Sequence, residues 1–103
     1  MPTTAAKPEF IVIPEEARRV IRETREQLGL SRTTVEQRAK VGTDYVKKLE
    51  LGRSQSAEAD RLRRVMQVVQ QAAARGKAPT KLTARIDRVV KQIEKQGQKP
   101  AKR

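Results

Sequence analysis

Thr43, Asp44, Lys47 and Lys48 fall within one short stretch of the chain, and their side chains are of the types that read base-pair edges. A lysine ammonium donates to guanine O6 and N7, a threonine offers a hydroxyl and a methyl, and an aspartate accepts from a cytosine amino group. Arg32 and Arg53 flank the set with cations of the kind that grip phosphate, and the hydroxyls of Thr33 and Thr34 can assist them. Asp44 has a second reading. Phosphates repel its carboxylate, and the same carboxylate is well suited to capping a helix start.

Catalytic chemistry has much less to work with. The chain contains no Cys and no His, which removes zinc-type metal sites, disulfides, and thiol or imidazole catalysis together. Scattered carboxylates remain, with no paired-carboxylate signature and no glycine-rich phosphate cradle. The expectation is a non-enzymatic protein with no metal and no cofactor.

Two helices must position the base-reading set. Ser31 can cap a helix over Arg32–Ala39, where Val35 and Ala39 share one face. Gly42 then supplies a permissive turn, and a second helix from Thr43 to Leu51 turns Val46 and Leu49 inward until Gly52 stops it. The outward positions left on that second helix are Thr43, Asp44, Lys47 and Lys48, joined by Tyr45 and Leu51.

The spacing of Leu28 to Ser31, Val35, Ala39, Val41, Val46, Leu49, Glu50 and Gly52 resembles the helix-turn-helix of the lambda-repressor and Cro family, the xenobiotic-response-element family of bacterial, phage and plasmid regulators. The departures are Lys40, where the family often has Gly, and Arg32, where it often has Gln. The resemblance implies an all-α, compact lambda-repressor-like bundle of about five helices. It also implies an ion pair between Arg25 and Glu50 that braces the first helix against the end of the reading helix, and a phosphate role for Arg53. It further implies a cytoplasmic, nucleoid-associated transcriptional repressor that reads an inverted repeat in double-stranded DNA as a homodimer. An antitoxin-type autoregulator that neutralises a protein partner is the alternative, and a non-specific architectural nucleic-acid-binding protein is a third.

Charge supports a polyanionic partner. The net charge is +12, and residues 57–103 carry 13 basic against 4 acidic side chains while residues 14–56 carry 10 against 7. Most of the excess thus lies outside the reading helix, where it attracts phosphate without choosing a sequence. Phe10 and Tyr45 are the only rings in 103 residues, so the core is aliphatic and a dimer is a reasonable expectation. No apolar run approaches the roughly 20 residues that span a bilayer, and the N-terminus lacks a secretory layout, so a cytoplasmic location away from membranes is expected.

The remaining segments divide as an N-terminal arm over 1–13, a DNA-binding domain over 14–75, a C-terminal helical segment over 76–95 and a disordered basic tail over 96–103. Phe10, Ile11, Val12 and Ile13 form an apolar run of high β-propensity, which either caps the core or makes a strand that pairs with its copy in a second subunit. Pro14 opens a helix to Leu28, with Glu15 and Glu16 at its positive end and Ala17, Val20, Ile21 and Thr24 on its inner face. A further helix spans Ala57–Ala74. After Gly76 and Pro79, Leu82, Ile86, Val89, Val90 and Ile93 recur at helical spacing over Lys81–Lys95. That face serves as a dimer contact, as a fifth core helix, or as both at once.

Overall fold

The computed structural model describes residues 10–53 and 55–97. In chain order the elements are β1 (Phe10–Val12), α1 (Glu15–Leu28), α2 (Arg32–Ala39), α3 (Tyr45–Leu51), β2 (Ser56–Glu58), α4 (Ala59–Arg75) and α5 (Thr80–Gly97). Among the described residues five helices dominate, and one small sheet holds two strands. The chain is an all-α bundle, as expected.

Local chemistry explains most of the boundaries. Pro14 stands in extended backbone just before α1, and Glu15 and Glu16 occupy the first turn, where carboxylates complement the helix dipole. Ser31 caps α2 by accepting the Thr34 N–H at 3.0 Å. Gly52, at φ 71°, ends α3 in the left-handed conformation that glycine adopts without strain. Gly76 ends α4 for a different reason. A Cβ there would run into the Leu28 side chain and lie 3.1 Å from the Ala72 carbonyl oxygen.

The core is aliphatic and continuous. Val20, Ile21, Val35, Val46, Leu49, Leu62, Val65, Met66 and Val69 are buried together, which removes from water the apolar stripes of four helices. The stripe on α5 joins the same core. Leu82, Ile86, Val89 and Ile93 are buried against α4 and α1, and only Val90 is half-buried. This corrects the dimer reading for Leu82, Ile86, Val89 and Ile93, whose side chains are consumed by the chain's own core. On the exposed side Arg85 clamps α5 to α1, donating to both Glu23 oxygens at 2.8 and 3.0 Å and to Glu16.

The N-terminal run is also corrected in part. β1 pairs antiparallel with β2 of the same chain, in the register Phe10↔Glu58, Ile11↔Ala57, Val12↔Ser56. Ile11 and Ile13 are buried in the core, so neither is free for a second subunit, while Phe10 and Val12 remain 63% and 66% exposed. Residues 56–58, expected near the start of a helix, instead supply the partner strand, and α4 begins at Ala59. At the other end α5 runs through Gln96 to Gly97, so these two residues, expected in the tail, are helical. The arm over 1–9 and the tail over 98–103 lie outside the described residues.

Candidate nucleic-acid interface

α3 has seven residues, too few to be stable by itself, so its placement depends on its anchors. Val46 and Leu49 hold its inner face in the core, against α1 and α2. Its start is tied down by Glu36 of α2, a residue 6% exposed whose carboxylate accepts the Val46 N–H at 3.1 Å. A carboxylate at that end also meets the positive pole of the helix dipole. This anchor is absent from the sequence reading. The available signal was Glu36's position one residue after Val35 and three before Ala39, on the margin of the buried face.

The other end of α3 is fixed more firmly. The Glu50 side chain is 1% exposed and that of Arg25 14%. Arg25 Nε and Nη2 donate to the two Glu50 oxygens at 2.8 and 2.9 Å, the bidentate geometry in which guanidinium and carboxylate bind best. Arg25 Nη1 also donates to the Leu30 carbonyl at 3.2 Å, and Arg18 Nη1 reaches the Leu49 carbonyl at 3.4 Å. The hydrogen bonds to Glu50 hold the Arg25 guanidinium pKa above its ordinary value. The pair implied by the family resemblance is therefore present in this chain. It has a third member: Arg32 Nε donates to Glu50 Oε1 at 3.2 Å. Arg32, expected on phosphate, spends one nitrogen on this brace and keeps its side chain 37% exposed.

Between these anchors the outward face is open. Thr43, Asp44, Lys47 and Lys48 are all exposed, and Asp44, Lys47, Lys48 and Leu51 follow the i, i+3, i+4, i+7 spacing of one helix face. Neither lysine makes an ion pair with a described residue. Helix α3 starts at Tyr45, so Thr43 lies in the preceding turn and Asp44 holds the N-cap position at φ 67°. Its side chain makes no cap hydrogen bond, which corrects the capping alternative; the Val46 N–H is taken by Glu36 instead. Tyr45, read as outward-facing, is half-buried, its hydroxyl has no hydrogen-bond partner among the described residues, and burial raises its pKa.

Among the phosphate candidates, Arg53 and Thr33 are exposed. The Thr34 hydroxyl lies 2.9 Å from that of Ser31, beside the α2 cap. Lys40 is exposed at the turn in the left-handed conformation, φ 59°, a geometry that glycine adopts without strain.

Among the described residues, no cluster of His, Cys, Asp or Glu could hold a metal ion, and no helix is long and apolar enough to cross a membrane. A groove of about 740 Å³ lies beside β1 and the end of α5. Comparison with known proteins adds no relative: no family model, no curated protein and no solved structure matches the chain.

Proposed function

We propose that the protein is a sequence-specific double-stranded-DNA-binding transcriptional repressor that reads an inverted repeat as a homodimer, with α3 in the major groove. The observation that carries this reading is the pairing of a braced helix with an open basic face. Two buried carboxylates, Glu36 and Glu50, hold the ends of α3, while Lys47 and Lys48 stand outward. Ion-pair anchoring of so short a helix fixes its direction more than it stabilises the fold, because desolvation offsets much of the attraction. Direction is what groove reading demands.

In this mechanism α2 crosses the sugar-phosphate backbone and α3 enters the groove beside it. Arg53, Thr33 and the free nitrogens of Arg32 hold phosphates and set the register. Lys47 and Lys48 donate to guanine acceptors, and Thr43 and Asp44 contact the neighbouring edges, which favours a site containing G·C pairs. The excess charge over residues 57–103 adds sequence-independent attraction and makes binding salt-dependent. A dimer bound across an operator occludes it from polymerase.

The test is enrichment of bound fragments from sheared genomic DNA, followed by fluorescence anisotropy of an enriched fragment against its shuffled counterpart at physiological salt. Preference for the enriched fragment by roughly 10³-fold or more is expected. A ratio near one would favour the architectural reading, in which charge acts alone.

A further inference from the structure

Strand β1 uses only one of its edges for β2. Ile13 N–H donates to the Gln55 carbonyl at 3.0 Å, so by the alternation of an antiparallel ladder the backbone groups of Val12 and Phe10 point the other way. That outer edge is closed at one residue by a side chain. Gln96, near the end of α5, accepts the Val12 N–H at 3.2 Å and donates to the Val12 carbonyl at 3.0 Å. Its carboxamide takes the place that the peptide group of a neighbouring strand would occupy.

The side chains around this edge form an unoccupied apolar surface. Phe10, Val12 and Leu51 are the exposed large hydrophobic residues among those described, and two of the three lie on this three-residue strand. Phe10 and Val12 are two apart and so face the same way. With Pro14, Gln92 and Lys95 they line the 740 Å³ groove.

We propose that the outer edge of β1 is the site where β1 of a second copy of this chain adds, displacing the Gln96 carboxamide and joining two small sheets into one of four strands. The proposal deepens the dimeric DNA-binding reading and rests on it for its purpose. Antiparallel pairing of a strand with itself about a two-fold axis is self-complementary, as an isologous interface requires. The sequence also selects a register. Centring the axis on Ile11 places Phe10 opposite Val12 of the second copy, and both residues have an N–H to give. Centring it on Val12 would place Phe10 opposite Pro14, and centring it on Phe10 would place Val12 opposite position 8, also proline, with no donor in either case.

The buried area sets the strength. Phe10 and Val12 with the stems of Gln92 and Lys95 cover a few hundred Å² per copy, below the roughly 800 Å² per partner of a standard interface. The charge of +12 on each copy opposes association as well. The dimer is therefore weak in isolation, strengthens with salt, and is completed on DNA, whose phosphates neutralise that charge.

The experiment is sedimentation equilibrium of the full chain without DNA, over about 10–500 µM and at two salt concentrations, for the parent, Phe10→Glu, Val12→Glu and Gln96→Ala. The parent should pass from 11.6 kDa to twice that mass, with a tighter constant at higher salt. Phe10→Glu and Val12→Glu, both at exposed positions, should weaken association at least about tenfold while keeping the parent circular dichroism spectrum. Gln96→Ala should tighten it severalfold, since two competing hydrogen bonds are removed. A parent that stays at 11.6 kDa throughout, or a Val12→Glu variant with the parent constant, would overturn the proposal, and unchanged association of Gln96→Ala would overturn the displacement. Binding of Phe10→Glu to a single half-site separates the two ideas: it is retained if only the dimer edge is lost, and absent if the α3 reading itself fails.

Discussion

Removing the Glu50 carboxylate is the most informative perturbation of the fold that holds α3. In Glu50→Ala, Arg25 loses both bidentate hydrogen bonds, at 2.8 and 2.9 Å, and keeps the Leu30 carbonyl at 3.2 Å as an acceptor. Its side chain is 14% exposed, so water cannot fully replace what is lost. Breaking a buried pair by deleting one partner costs about 3–5 kcal/mol, mostly for the charge left behind. Domains of this size are stable by about 5–15 kcal/mol, so the variant should remain folded and melt at least about 12 °C lower. Urea denaturation of the parent, Glu50→Ala, Arg25→Ala and the double variant completes a cycle. The double variant should recover part of the loss, because no orphaned cation remains at position 25. A loss below about 1 kcal/mol in Glu50→Ala would place the pair in the class of surface ion pairs and refute the claim that it braces α3.

Three further outcomes follow from particular residues. Lys40→Gly should stabilise the protein by about 0.5–1 kcal/mol, because relief of a left-handed lysine at φ 59° exceeds the entropic penalty of glycine; a lower melting temperature would contradict this. Glu36→Gln keeps an acceptor for the Val46 N–H but removes the charge, whereas Glu36→Ala removes both, so stability should fall in the order parent, Gln, Ala, with the Ala variant about 1–2 kcal/mol below the parent; equal melting of all three would remove Glu36 as an anchor. The hydrogen bonds from Arg85 hold the Glu23 carboxyl below its ordinary pKa. A depressed folded-state pKa gives stability that is present above the ordinary value and lost as pH falls through the folded one. Arg85→Gln should therefore flatten the acid limb of a stability-versus-pH curve, and an unchanged limb would show that the clamp does not hold in solution.

Where the signals were local, the sequence was sufficient. Ser31 and the Val35–Ala39 spacing delimit α2 at Arg32–Ala39, the bounds observed, because capping and periodicity act within one turn of the chain. α1 likewise starts one residue after Pro14. What escaped was non-local. Ser56–Glu58 has no strand composition of its own and becomes β2 only because Ile11, far earlier in the chain, pairs with Ala57. The role of Glu36 had no local signal, because the amide it serves lies ten positions away. The apolar face of α5 could have met a partner or the core, and periodicity alone is the same for both. At the proposed interface, the exposure of Thr43, Asp44, Lys47, Lys48 and Arg53 followed from spacing, whereas the contact of Thr34 with Ser31 and the use of one Arg32 nitrogen on Glu50 depended on side-chain geometry.

Selection of bound sequences from a random DNA pool, with Lys47→Ala and Lys48→Ala beside the parent at physiological salt, bears most directly on the role of α3. The parent should recover an inverted repeat with half-sites about one helical turn, roughly 34 Å, apart. Each variant should lose preference at its own positions by about 1–3 kcal/mol. Absence of any motif, with both variants binding all sequences uniformly less well, would contradict base reading by α3 and leave the charge to act alone.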